Sequence, residues 1–182
     1  MSEEILKAVS VLRGGGVIAY PTEYCFGLGC DPQDSQAVEK IVKIKRRAIK
    51  QGVLLIAADI NQVREYADLA ISPLEAQILA SWPGPITWTL PKQQSVPVWI
   101  TGEHQSIAMR MTSHAISIEL CRQFGQAIVS TSANRHGQSP LMTAQEVEKE
   151  MVAEVDFVVH AKVGGATHAS TIRDGMTGIT LR

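Results

Sequence analysis

Apolar positions recur along this chain with two periods, and the alternation between them sets out its elements. Ile5, Leu6, Val9 and Leu12 share one helical face, with Ser2 as cap, Glu3 and Glu4 in the first turn and Gly14-Gly15-Gly16 as the stop. VIAY (17–20) predicts a buried strand, DSQAVEKIVKIK (34–45) a helix capped by Asp34, and GVLLIAA (52–58) another strand. Two helical stretches follow. The better marked is SPLEAQILASW (72–82), with Ser72 as cap and Pro73 at the first helical position. WPGPITWTL (82–90) turns sharply into a strand, SIAMR (106–110) reads as a strand, and SHAISIELCRQFG (113–125) as a helix ending at glycine. Ala127, Ile128 and Val129 form a short buried strand. Thr143 and Glu146 then form a capping box for TAQEVEKEM. DFVVH, STIRD and GITLR make the end strand-rich.

Helices and short apolar strands alternate, but the closing strands are consecutive. This pattern predicts an α/β fold with a mixed parallel/antiparallel sheet flanked by helices. There is no internal repeat, low-complexity tract or linker, and 182 residues suit a single domain spanning 1–182.

Composition narrows the classes. The chain is 45% hydrophobic and 19% charged, enough to bury a core. A formal net charge of −1 means that any basic surface is local. No secretory signal is legible, and no run approaches the roughly 18 apolar residues of a membrane span, so a soluble, cytoplasmic protein is expected. Cys25, Cys30 and Cys121 are odd in number and form no C-x-x-C; with five scattered histidines and no H-E-x-x-H, neither a disulfide framework nor a protein-built metal site is expected.

Several nucleotide and hydrolase motifs are absent. There is no Gly-Lys dipeptide for a phosphate loop and no G-x-S-x-G. Gly14 to Ala19 fits G-x-G-x-x-A, but it precedes a strand and reads as a helix stop.

Four segments carry candidate chemistry. In KIKRRAIK (43–50), five of eight residues are Lys or Arg. Lys45 lies four residues after Ile41 and seven after Val38, beside the apolar stripe, while Arg46 points away from it. The acids close in sequence are Asp31, Asp34 and Glu39, so Lys45 is either a snorkelling structural lysine or a cation awaiting an anionic ligand. In AYPTEYCFGLGCD (19–31), Thr22 sits at a strand end, either as a ligand contact or, with Glu23, as a turn residue. Arg110 closes its strand and can grip a ligand carboxylate or pair with a structural acid. AIVSTSANRHG (127–137) runs from the strand into Ser130, Thr131, Ser132 and Asn134, either a loop with a helix cap or a polar wall facing a ligand.

Taken in order, GGGVIAYPTEYCFGLGCDP, the K-x-R of Lys45 and Arg47, WPGPITWTL, SIAMR, VSTSAN, STIRD and ITLR resemble the YrdC family nearly end to end. The resemblance implies a twisted mixed sheet around a concave, basic cleft. It also implies a nucleotidyltransferase activity: L-threonine, bicarbonate or CO2, and ATP are joined to threonylcarbamoyl-adenylate with release of pyrophosphate. Partner proteins (TsaD, TsaB and TsaE) would pass the threonylcarbamoyl group to the adenosine 3′ to the anticodon in tRNAs reading codons that start with A.

By position, the resemblance implies that Lys45 and Arg47 are catalytic and bind ATP with Ser132, Asn134 and Arg182. Thr22, Arg110, Ser130 and Ser170 would hold threonine, with Thr171 as the alternative to Ser170. Mg²⁺ would be held mainly by the phosphates. Three departures stand out: Ala48 where the family has proline, Arg135-His136 after the S-x-N motif, and an expected absence of the second domain of longer relatives. Two rival readings are a non-catalytic RNA-binding module using the basic cleft, and a carbamoyl-adenylate-forming unit like that of hydrogenase-maturation proteins. Few aromatics and the chain's length count against them.

Overall fold

A computed structural model of the chain describes residues 3–135 and 137–182. The expected Ser2 cap and the His136 departure lie outside these residues. The helices are α1 (Glu3–Arg13), α2 (Ser35–Ile44), α3 (Ile60–Arg64), α4 (Glu75–Ala80), α5 (Val98–Thr101), α6 (Ala115–Phe124) and α7 (Ala144–Met151). The strands are β1 (Ile18–Pro21), β2 (Phe26–Gly29), β3 (Leu54–Ala57), β4 (Ile86–Pro91), β5 (Ser106–Met111), β6 (Ile128–Val129), β7 (Thr131–Ser132), β8 (Phe157–Val158) and β9 (Thr171–Asp174).

The expected mixed pairing is present, divided between two sheets. One has the order β7-β2-β1-β8 and the other β6-β3-β5-β4-β9. In the first, β1 pairs antiparallel with β2 and parallel with β8. In the second, β3 pairs parallel with β5, and β5 antiparallel with β4.

The strands read as continuous apolar runs because they are covered on both faces. Val17 and Ala19 enter one core with Val38 and Ile41 of α2 and Val147 and Met151 of α7. Ile18 and Tyr20, pointing the other way, enter a second core with Ile5, Val9 and Leu12 of α1 and Leu120 and Phe124 of α6. Leu55 and Ile56 divide in the same way. Each fully buried aliphatic or aromatic side chain is worth about 1.5–3 kcal/mol, so these two cores, not the polar site, carry the fold.

The capping signals mostly hold. Asp34 accepts from the Gln36 and Ala37 amides, and Thr143 with Glu146 makes the reciprocal capping box. The expected 72–82 helix is shorter. It starts at Glu75 with Leu74 at the cap, because the Ser72 hydroxyl is spent on the Gly175 carbonyl and accepts from the Leu74 amide. GITLR is not a full strand. It contributes a single bridge, Arg173 with Thr180. Among the described residues no helix is long and apolar enough to cross a membrane.

Candidate active site

Ser130 is the point where the chain changes sheets. β6 pairs antiparallel with β3 in the five-stranded sheet, and β7, one residue later, pairs antiparallel with β2 in the four-stranded one. The Ser130 amide donates to the Leu54 carbonyl at 2.8 Å and the Ala133 amide to the Phe26 carbonyl at 2.7 Å. The polar run after the core strand is therefore the seam between two sheets. A seam has backbone groups to satisfy from two sides, and a cleft opens beside it.

That cleft has a volume of about 700 Å³. Thr22, Ser130 and Ser132 line it from the seam side, Lys45 and Arg47 from the end of α2, Arg110 from β5, and Ser170 and Arg182 from the C-terminal segment. Asn134 stands behind this lining and acts through its neighbours. Its side-chain oxygen accepts from the Ser132 hydroxyl at 2.8 Å and from the Lys45 ammonium, and its amide nitrogen donates to the Gln138 carbonyl at 2.6 Å.

Lys45 reaches the seam because α2 ends just before it. The helix stops at Ile44, Lys45 is the cap, and Arg46 takes a left-handed φ of 49°. That conformation is uncommon for a residue with a side chain and reverses the chain sharply. The Arg46 and Arg47 amides return to the Lys43 and Val42 carbonyls, so Lys45 and Arg47 flank the reversal while Arg46 is exposed. The chain thus leaves the helix before Ala48.

The Lys45 ammonium donates to the main-chain carbonyls of Ser132 and Asn134, each at 2.7 Å, and to the Asn134 side-chain oxygen. Among the described residues no carboxylate lies within ion-pair distance of it. Burial, and then the nearby Arg47 charge, pull its pKa down to about 8. Lys45 is buried, hydrogen-bonded and without a counter-ion. Arg47 is exposed, and its Nε donates to Gln51 Oε1 at 3.0 Å.

Arg110 does have a structural acid. Its Nη1 lies 2.6 Å from Glu23 Oε1, with the side chains only 8% and 17% exposed. The same Glu23 oxygen accepts from the Thr112 hydroxyl and the Ser113 amide, both at 2.8 Å. Burial alone would raise the Glu23 carboxyl, but the charge and hydrogen bond of Arg110 outweigh it and hold the group at about 2. Reading Glu23 only as a turn residue missed this pair. The available signal was an acid following one strand end and an arginine closing another.

Thr22 serves its turn, donating its hydroxyl to the Cys25 carbonyl at 2.8 Å, and also faces the cleft. The Ser170 hydroxyl shares a 2.9 Å hydrogen bond with that of Thr87. Thr171 opens β9 and is not part of the lining, so of the two it is Ser170 that faces the cavity. The Arg182 carbonyl accepts from the Ile172 amide.

The charged lining comprises Lys45, Arg47, Arg110 and Arg182 against Glu23 and Asp174. Both acids are already engaged, Glu23 by Arg110 and Asp174 by the Met176 and Thr177 amides. This donor set suits a divalent ion held through a ligand's phosphates better than one held by protein carboxylates.

The family model for Sua5, YciO and YrdC proteins, described as telomere recombination, matches residues 10–182. This chain belongs to that family. A Nitrosococcus oceani protein named threonylcarbamoyl-AMP synthase is 43% identical over 175 residues, covering 96% of this chain and 95% of its own. Among solved structures, E. coli YciO superposes with a TM-score of 0.86 at 26% identity, over 98% of this chain and 87% of the other. P. abyssi Sua5 in complex with L-threonine superposes with a TM-score of 0.85 at 31% identity over 93% of this chain. This chain spans half of that Sua5 protein's length, so the resemblance concerns one part of it.

Proposed function

We propose that this chain, as one synthase domain over residues 1–182, makes threonylcarbamoyl-adenylate from L-threonine, bicarbonate or CO2, and ATP. The observation that carries the reading is the convergence of Lys45, Arg47, Thr22, Arg110, Ser130, Ser132 and Ser170 on one cleft. Full-length relatives named for that synthesis support it.

In this reading the threonine amine loses a proton and adds to CO2, giving a carbamate. A carbamate oxygen attacks the α-phosphorus of ATP, the bond to the bridging oxygen breaks, and pyrophosphate leaves. No covalent enzyme intermediate is needed, so catalysis rests on positioning and on fixed charge. Arg110 receives the threonine carboxylate, and Thr22, Ser130 and Ser170 offer neutral hydrogen bonds to the rest of the amino acid. Lys45 and Arg47 supply positive charge to the triphosphate. Ser132 and Arg182 hold the nucleotide, and Asn134 braces Ser132 and Lys45 from behind. Lys45 has no counter-ion to surrender among the described residues, so a phosphate oxygen need only replace one of its carbonyl partners. Mg²⁺ bound through the phosphates would neutralise part of their charge.

The adenylate is a mixed anhydride and needs an acceptor. The proposed consumer is the threonylcarbamoyl-transferase machinery (TsaD, TsaB and TsaE) acting on tRNA, with the basic side of the cleft available to RNA. Incubation with ATP, threonine and bicarbonate, each omitted in turn, tests the reading. Pyrophosphate release should require all three. RNA binding without turnover would instead favour a binding module.

A further inference from the structure

The ion pair between Arg110 and Glu23 is built in a lopsided way. Glu23 Oε1 takes Arg110 Nη1 at 2.6 Å, the Thr112 hydroxyl, the Ser113 amide and, at 3.3 Å, the Ser113 hydroxyl. Glu23 Oε2 and Arg110 Nε are both buried with no hydrogen-bond partner among the described residues. Buried ion pairs gain stability when both partners are fully satisfied, and unpartnered buried atoms work against that gain. The arrangement is therefore poor as a stabilising bridge and good as a one-sided clamp. It holds one nitrogen of the guanidinium and leaves Nη2 without a protein acceptor among the described residues.

The main chain of Thr22 and Glu23 holds a second segment, 164–166. The Thr22 carbonyl accepts from the Gly164 amide at 2.9 Å, and the Glu23 carbonyl from the Ala166 amide at 2.8 Å. A Cβ at Gly164 would stand 3.0 Å from the Glu23 Cα, so these two segments run in close apposition. The 164–166 segment leads to Ser170. One residue thus ties together the β1–β2 turn, the β5–α6 corner and the approach to Ser170.

We propose that Glu23 is a positioning residue for the amino-acid half of the site: it clamps Arg110 through Nη1 so that the free side of the guanidinium meets the α-carboxylate of the amino acid. This rests on the reading above, in which Arg110 receives that carboxylate. In this proposal Glu23 acts through Arg110 and not on the substrate directly.

The competing physical effect has the opposite sign. If Glu23 merely neutralised Arg110, removing its charge would strengthen carboxylate binding. Glu23→Gln separates the two cases, because the amide oxygen can still accept from Thr112 and Ser113 while the charge-assisted clamp is lost. The experiment is steady-state kinetics on the full chain for Glu23→Gln, Arg110→Met and the double variant, with melting temperatures recorded. Glu23→Gln should raise the threonine KM about 10- to 100-fold and leave the ATP KM within about threefold. In the Arg110→Met background it should change the threonine KM by less than about twofold, since the residue it acts through is gone.

An unchanged or lowered threonine KM in Glu23→Gln overturns the proposal, as do effects that multiply in the double variant. Should Glu23→Gln fail to fold, Glu23→Asp keeps the charge and displaces it. A raised threonine KM with ATP KM preserved supports the clamp, and an unchanged one contradicts it. If Arg110→Met leaves the threonine KM unchanged, the assignment of Arg110 to the carboxylate fails, and the clamp with it. If only the Glu23 variants are silent, the clamp alone fails.

Discussion

Lys45 donates to the carbonyl of Ser132, 87 residues further along the chain, at 2.7 Å. The contact joins the end of α2 to the seam between the two sheets and gives a buried ammonium neutral partners in place of acids. Its hydrogen bonds are satisfied while its charge is not, which is the state that attracts an anion.

Lys45→Ala should therefore act on the nucleotide. A charge-assisted hydrogen bond is worth roughly 1.5–3 kcal/mol, so the ATP KM should rise about 10- to 100-fold. The melting temperature should change little, because the two apolar cores carry the fold. Kinetics at saturating threonine, beside a thermal melt, check both halves. Adenylate formation at the parent rate would remove Lys45 from the site.

The pH dependence follows from the same residue. Burial lowers the Lys45 pKa to about 8, so the cation is present below that value and lost above it. kcat/KM for ATP, measured at saturating threonine, should fall as pH rises through about 8. In Lys45→Arg, which keeps its charge, that limb should move upward.

Glu23 contributes to acid stability. Its pKa is depressed from an ordinary 4.5 to about 2, against the effect of its burial, by Arg110. The folded state thus holds the carboxylate ionised where the unfolded chain would take up a proton. The resulting stabilisation is complete above about 4.5 and is lost as pH falls toward about 2. The urea midpoint should fall further between pH 5 and pH 3 for the parent than for Glu23→Gln, which has no such proton to gain.

Much of this arrangement was legible in the sequence where local chemistry decides it. The Asp34 cap and the Thr143–Glu146 box depend on neighbours a few residues away, and both form as read. Ser72 misled because its hydroxyl is claimed by Gly175, 103 residues distant, and no local pattern carries that bond. The same reason hid the division into two sheets and the choice among partners for Lys45 and Arg110. In each case the residue type was readable and the long-range partner was not. Asn134 shows the intermediate case. The S-x-N spacing marked it, but only the fold shows that it braces Lys45 and Ser132 from behind the cavity lining.

Ser170 and Thr171 offer a test of that long-range geometry. Ser170 faces the cleft and Thr171 is paired in β9. Ser170→Ala should raise the threonine KM several-fold, on the order of the 0.5–1.5 kcal/mol of a neutral hydrogen bond, and Thr171→Val should leave it near the parent value. Equal effects would mean that the cavity wall is set differently.

The central claim is that one cleft joins an amino acid to the α-phosphorus of ATP in a reversible step. Exchange of labelled pyrophosphate into ATP measures that step directly. The label should enter ATP only when threonine and bicarbonate are both present, and the exchange should collapse in Lys45→Ala. Exchange that proceeds without threonine, or none with every substrate supplied, would contradict the account.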